Sequence, residues 1–172
     1  LADLYLLGLD EERLNKEGVE PVRPALEAID AITSREQLSA HIGKTHTSSA
    51  NVFFASGVGP DEKNTSVNVL YFGQSGLGLG DRDYYFAEDG EAIRKGYEQF
   101  IATISQLAGY TAEEAERITE SVMAIEMELA KAHFTNVERR NPIKNYNKLS
   151  LKEFKRKFKN IDWDAYSQAM GF

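Results

Sequence analysis

Gly73-Gln-Ser-Gly-Leu-Gly-Leu-Gly-Asp-Arg-Asp-Tyr-Tyr-Phe86 is the stretch at which the patterning of this chain changes. Glycines at 73, 76, 78 and 80 permit backbone angles and close approaches that a Cβ would forbid, while Tyr84, Tyr85 and Phe86 bring large surface to bury. That combination predicts a tight crossing point, not a flexible linker. Asp81 or Asp83 is available to cap the turn, and the three aromatics are available to anchor it.

Immediately upstream, Val52 to Val58 and Ser66 to Phe72 are rich in β-branched and aromatic residues, and Gly59-Pro60-Asp61-Glu62-Lys63-Asn64 between them is turn chemistry. A β-hairpin over about residues 52-58 and 66-72 follows, with one face against helices because a lone hairpin is marginal. Further back the period is helical. Leu1 to Leu7 reads as the end of a helix stopped by Gly8, and Asp10 caps a short helix to about Glu17 that Gly18 stops. Pro21 and Pro24 fit the first turn of a third helix striped by Leu26, Ile29 and Ile32, and Ser34 with Gln37 opens a fourth carrying Leu38, His41 and Ile42.

Downstream, Ile93, Tyr97, Phe100, Ile101, Ile104 and Leu107 fall at helical spacing before Gly109. Thr111 with Glu114 is a capping box for a long helix with Ile118, Val122, Ile125, Leu129 and Ala132 on one stripe. Its acids Glu113, Glu116, Glu120 and Glu128 lie on the other faces, mostly toward the N-terminal half that the helix dipole favours. Ser150 with Glu153 opens a short helix with Leu151, Phe154 and Phe158 inward, and Asp162 caps a last one from Trp163. The expected fold is mainly α, a multi-helical domain of five to eight helices with one β-hairpin, and residues 1-172 read as one domain.

The 172 residues carry a net charge of -7, which argues against nucleic acid as a partner. Cysteine is absent, excluding disulfides, thiolate zinc sites and a cysteine nucleophile. No apolar run is long enough for a membrane span, and no contact of this segment with a membrane is expected. The chain starts at Leu1 inside a helical pattern, so it is expected to be a piece of a longer polypeptide.

The chemistry-bearing residues give no catalytic constellation. None of His41, His46 and His133 is followed by Glu as in His-Glu-x-x-His, and His41 and His46, five apart, sit roughly 140° around a helix from one another. They read as ordinary surface or core histidines. Glu113, Glu114 and Glu116 fit dipole stabilisation, and Glu126 and Glu128 do not share a helix face, so no acid pair is assigned. Ser75 has no visible base partner, and the glycine series lacks a phosphate-loop continuation, with Asp81 repelling an anion. From Glu138 to Lys159, nine bases against two acids make a local +7, leaving -14 on the rest. This segment is either an anionic-partner surface or, as preferred, an internal complement to the acidic body.

Several motifs together resemble the amino-terminal domain of the neprilysin family of zinc metalloendopeptidases, which includes the bacterial oligopeptidases. They are Asp61-Glu62-Lys63-Asn64-Thr65, Gly76-Leu77-Gly78-Leu79, Asp81-Arg82-Asp83-Tyr84-Tyr85, Glu138-Arg139-Arg140-Asn141-Pro142, Tyr146-Asn147-Lys148-Leu149-Ser150-Leu151 and Ile161-Asp162-Trp163. Gly80 departs from the family's usual Pro. The resemblance implies a zinc cofactor and a His-Glu-x-x-His site in a carboxy-terminal catalytic domain of the same polypeptide, with no zinc bound by this chain. It further implies a lid and wall role for this helical domain, small peptides as substrates and a cell-envelope location. A substrate-contacting arginine would lie upstream of Leu1, so the resemblance carries over no catalytic, cofactor-binding or metal residue. The alternative is a stand-alone helical protein-binding module without enzymatic role, using the Glu138 to Lys159 surface.

Overall fold

Side-chain caps decide where the helices begin. The structure, a computed structural model, describes residues 2–48 and 50–172. Helix α1 (Ala2–Gly8) covers the first expected helix apart from Leu1, which lies outside the described residues. The Asp10 carboxylate accepts from the Arg13 N–H at 3.0 Å to open α2 (Glu11–Glu17), which Gly18 ends at φ 53°. The two prolines, expected in one helix, are divided. Pro21 sits in a 3-10 turn (Glu20–Val22) and Pro24 in the first turn of α3 (Arg23–Asp30), because Pro24 has no N–H to continue the ladder back to Glu20. Ile32 then falls beyond the helix end and leaves the expected stripe.

Helix α4 (Arg35–Thr47) starts at Ser34, whose hydroxyl accepts from Gln37 N–H at 3.1 Å. The Gln37 side chain accepts from Thr33 N–H rather than Ser34, so the box is half made. Its buried face is Ser39, Ile42, Gly43 and His46, rotated from the expected one, and Leu38 is exposed. Gly43 sets that phase: a Cβ there would lie 2.6 Å from the Tyr166 carbonyl oxygen, so its absence admits the last helix at close range.

The hairpin is longer than expected and its turn is tighter. Strands β1 (Phe54–Asp61) and β2 (Asn64–Gln74) pair antiparallel from Phe54↔Gln74 to Asp61↔Asn64, with a register shift at Pro60/Asp61. Only Glu62 and Lys63 lie between the strands. The Asp61 carboxylate accepts from Lys63 N–H at 2.9 Å to close this turn, and Pro60 is tolerated in a two-stranded sheet at an irregular register.

Helix α5 (Asp83–Phe86) and a 3-10 turn (Glu88–Gly90) lead into α6 (Glu91–Leu107) and α7 (Ala112–Ala132), which pack on each other; Thr111 and Glu114 form the full capping box of α7. Four further helices follow: α8 (Asn136–Arg139), α9 (Pro142–Asn145), α10 (Leu151–Lys157) and α11 (Trp163–Met170). Among the described residues this is a mainly α chain, with one hairpin and eight helices of seven or more residues beside three single-turn helices and two 3-10 turns. Ile42, Trp163 and Tyr166 form the main core with Phe54, Phe72, Phe154, Ile161 and Met170. Leu151, expected inward, is exposed, and Phe154 makes the α10 contact.

Candidate functional site

The glycine crossing is held from both sides. Gln74 exchanges two hydrogen bonds with the Phe134 backbone, donating to its carbonyl at 3.1 Å and accepting from its N–H at 2.8 Å. Gly76, at φ 87°, lies where a Cβ would come within 2.7 Å of the Phe53 backbone. Gly80, at φ 79°, donates its N–H to Leu77 O at 3.1 Å. Asp81 caps as expected, accepting from Asp83 N–H at 2.9 Å and from the Asn136 amide at 2.6 Å. The anchoring is narrower than expected: Tyr85 is buried at 2% exposure, whereas Tyr84 and Phe86 are exposed, Phe86 lying under the Arg82 guanidinium.

Tyr85 reaches Glu126, which the sequence offers only as half of an unassigned acid pair and which organises this region. Glu126 lies on the buried α7 face with Ala115 and Ala130, at the flank of the stripe that carries Val122 and Leu129. One carboxylate oxygen accepts from Gly78 N–H at 3.1 Å and from the Tyr85 hydroxyl; the other accepts from Tyr97 at 2.9 Å. The Tyr85 oxygen in turn accepts from Leu79 N–H at 3.1 Å. Gly78 has no alternative here, since a Cβ would overlap the Tyr97 hydroxyl. Burial, reinforced by the carboxylate, pushes Tyr97 up to about 12 and Tyr85 higher still, so both keep their protons and donate them. The cluster is therefore a positioning device: it offers no free base and no phenolate nucleophile. Two aromatics and a glycine facing one acid across three elements would have been the sequence signal, but nothing in the spacing ties Glu126 to residues 78, 85 and 97.

The histidines go to separate places. His46 is buried in the main core, with Nε2 donating to Val52 O at 3.2 Å and Nδ1 2.9 Å from the Tyr166 hydroxyl and 3.3 Å from Ser56 Oγ. His133 donates from Nε2 to Ser75 O at 3.2 Å, and burial pushes it below its ordinary value. His41 is half-buried on α4. Among the described residues no three His, Asp or Glu side chains converge as a metal site.

The basic segment is only partly an internal complement. Lys144, Lys148 and Lys155 pair with Glu138, Asp61 and Asp164. Among the described residues Arg139, Arg140, Lys152, Arg156, Lys157 and Lys159 form no ion pair. Asp61, 1% exposed at the hairpin tip, is pushed down to about 2, first by Lys148, then by the Lys63 N–H and the Tyr146 hydroxyl.

This combination of hairpin, glycine crossing and capped helices matches known proteins. Residues 1–172, the whole chain, match the amino-terminal sequence model of peptidase family M13. The chain belongs to peptidase family M13. This is the neprilysin family to which the motifs pointed. The M13 chain is 33% identical over 129 residues to neprilysin-11 of Caenorhabditis elegans, covering 70% of this chain and 15% of that protein. It is 27% identical over 170 residues to endothelin-converting enzyme 1 of Bos taurus, covering 92% and 22%. In solved structures it resembles the Mycobacterium tuberculosis zinc metalloprotease Zmp1 in complex with an inhibitor, with TM-score 0.88 and 29% identity over 95% of this chain and 25% of that one. The open state of Zmp1 gives TM-score 0.87 and 30% identity over 98% and 26%. The M13 chain thus spans about a quarter or less of the length of these relatives. Among the described residues no helix is long and apolar enough to cross a membrane.

Proposed function

We propose that this M13 chain is the non-catalytic, cavity-forming and lid portion of a zinc-dependent metalloendopeptidase that cleaves oligopeptides. On this reading residues 1-172 are one part of the helical domain, and zinc and the catalytic residues belong to a carboxy-terminal domain of the same polypeptide. A cell-envelope location is part of the same proposal.

The observation that carries it is the close superposition of 95% of this chain on a quarter of a zinc metalloprotease. Two features of the chain support it. Glu126, Tyr85 and Tyr97 bond to one another and to the Gly78 and Leu79 N–H groups, which holds the glycine crossing. Helix α6 also leaves Ile93, Phe100, Ile104 and Leu107 exposed, an apolar stripe suited to burial against more protein. The test compares the 172-residue chain with the full polypeptide that carries it, both assayed on a quenched fluorescent oligopeptide. Chelator-sensitive cleavage by the full polypeptide alone is expected. Zinc-dependent cleavage by the 172-residue chain, or a full polypeptide without His-Glu-x-x-His, overturns the proposal.

A further inference from the structure

The lysines left unpaired at the end of the basic segment stand at the mouth of an aromatic cleft. Its walls are Phe54, Phe72, Phe154, Phe158 and Trp163, and its volume is about 530 Å³, within the range of small-molecule sites. The rings cross at steep angles: Phe154 and Trp163 lie 4.6 Å apart at 59°, and Phe72 and Trp163 5.3 Å apart at 67°. The rings pack directly on one another, and their outer faces and edges form one wall along which a slender apolar body can lie. The Trp163 N–H is already spent on Phe158 O at 2.6 Å, so the walls offer no indole donor.

The rim carries one sign of charge. Lys157 and Lys159 line the cleft beside Asn160, and among the described residues no acidic one does. The Lys157 ammonium lies 5.5 Å from the Phe158 ring centre, and Arg35 reaches the same rim by donating to Lys159 O at 3.3 Å. The nearby acids are engaged elsewhere: Asp164 pairs with Lys155, and Asp162 caps α11. An apolar slot under two free ammonium groups matches a ligand with an apolar tail and a single anionic head.

We infer that this cleft binds amphipathic carboxylates, with the aliphatic or aromatic body among the rings and the carboxylate at Lys157 and Lys159. Exposed charges add modest affinity, so the tail supplies most of the binding and the lysines select anions over neutral or cationic molecules of the same length. This goes beyond the peptidase reading and does not rest on it.

The test irradiates the full polypeptide carrying this chain with a decanoate bearing a terminal diazirine and maps the label by peptide mass spectrometry. Label within residues 154–163 is expected, displaced by decanoate at about tenfold lower concentration than by decanol or decyltrimethylammonium. In the Lys157→Gln/Lys159→Gln double variant the labelling affinity is expected to fall about tenfold. Both lysines are exposed, and circular dichroism checks that the variant is folded. Label confined to other sites, equal displacement by all three decyl compounds, or an unchanged double variant overturns the inference. Absence of label also overturns it, as when another part of the polypeptide fills the cleft.

Discussion

Around Trp163 and Tyr166 the chain packs ring on ring, whereas around Glu126 a glycine-rich loop and two tyrosines hang on one carboxylate. The first region joins α4, the hairpin, α10 and α11 through large apolar side chains that tolerate small shifts. The second joins the crossing to α6 and α7 through directed hydrogen bonds, and its buried neighbours on α7 are alanines. Burying apolar area is forgiving of geometry, while a buried acid is favourable only if each partner stays in reach. The aromatic region should therefore lose stability in proportion to volume removed, and the Glu126 region in proportion to partners left unmet.

The largest effect is expected at Trp163. Trp163→Ala removes a ring packed against Phe54, Phe72, Phe154 and Tyr166 and should cost about 4 kcal/mol, read as a lower denaturation midpoint. Glu126→Ala comes next at about 3 kcal/mol, since two hydroxyls and the Gly78 N–H lose their acceptor together. Hydrogen exchange should show that loss concentrated at residues 76 to 86. A Glu126→Ala variant as stable as the parent would erase the distinction between the two regions. Tyr97→Phe removes one donor of three and should cost about 1 kcal/mol; coupling to Glu126→Ala in a double-mutant cycle sharpens the comparison.

A pH dependence at the hairpin tip, outside both regions, gives an independent check. Asp61 titrates at about 2 in the folded chain against an ordinary 3.8. Its stabilising contribution is complete above that ordinary value and drains away as pH falls from about 4 toward about 2. An acid titration followed by circular dichroism should show this slope in the parent and a flatter one in Asp61→Asn.

The sequence made the aromatic region legible and hid the Glu126 region, for physical reasons. Phe54, Phe72, Phe154 and Trp163 announce themselves by size and by the period of their elements. The caps at Asp10, Thr111, Ser150 and Asp162 are local, since each acceptor and its N–H lie within three residues. Another such box, Thr135 with Glu138, is equally local and escaped notice because α8 is a single turn. The turn at Glu62-Lys63 was displaced because Gly59 and Pro60 resemble turn residues, while the Asp61 side chain does the turning. Glu126 contacts residues 29 to 48 positions away, and an acid on a long acidic helix reads as solvated until the partner elements are placed. The α4 stripe was misphased because Gly43, with no side chain to signal burial, faces α11.

Gly80 carries a consequence for how this chain can change. A proline is an ordinary choice for stiffening a loop, since fixing φ restricts the unfolded chain. Here the backbone stands at φ 79°, closed to a proline ring, and its N–H already holds Leu77 O. A proline at position 80 would break both, so the turn would have to be rebuilt first. Position 80 therefore sets a limit on how this loop can be rigidified: any stiffer residue must keep both the left-handed backbone and the N–H.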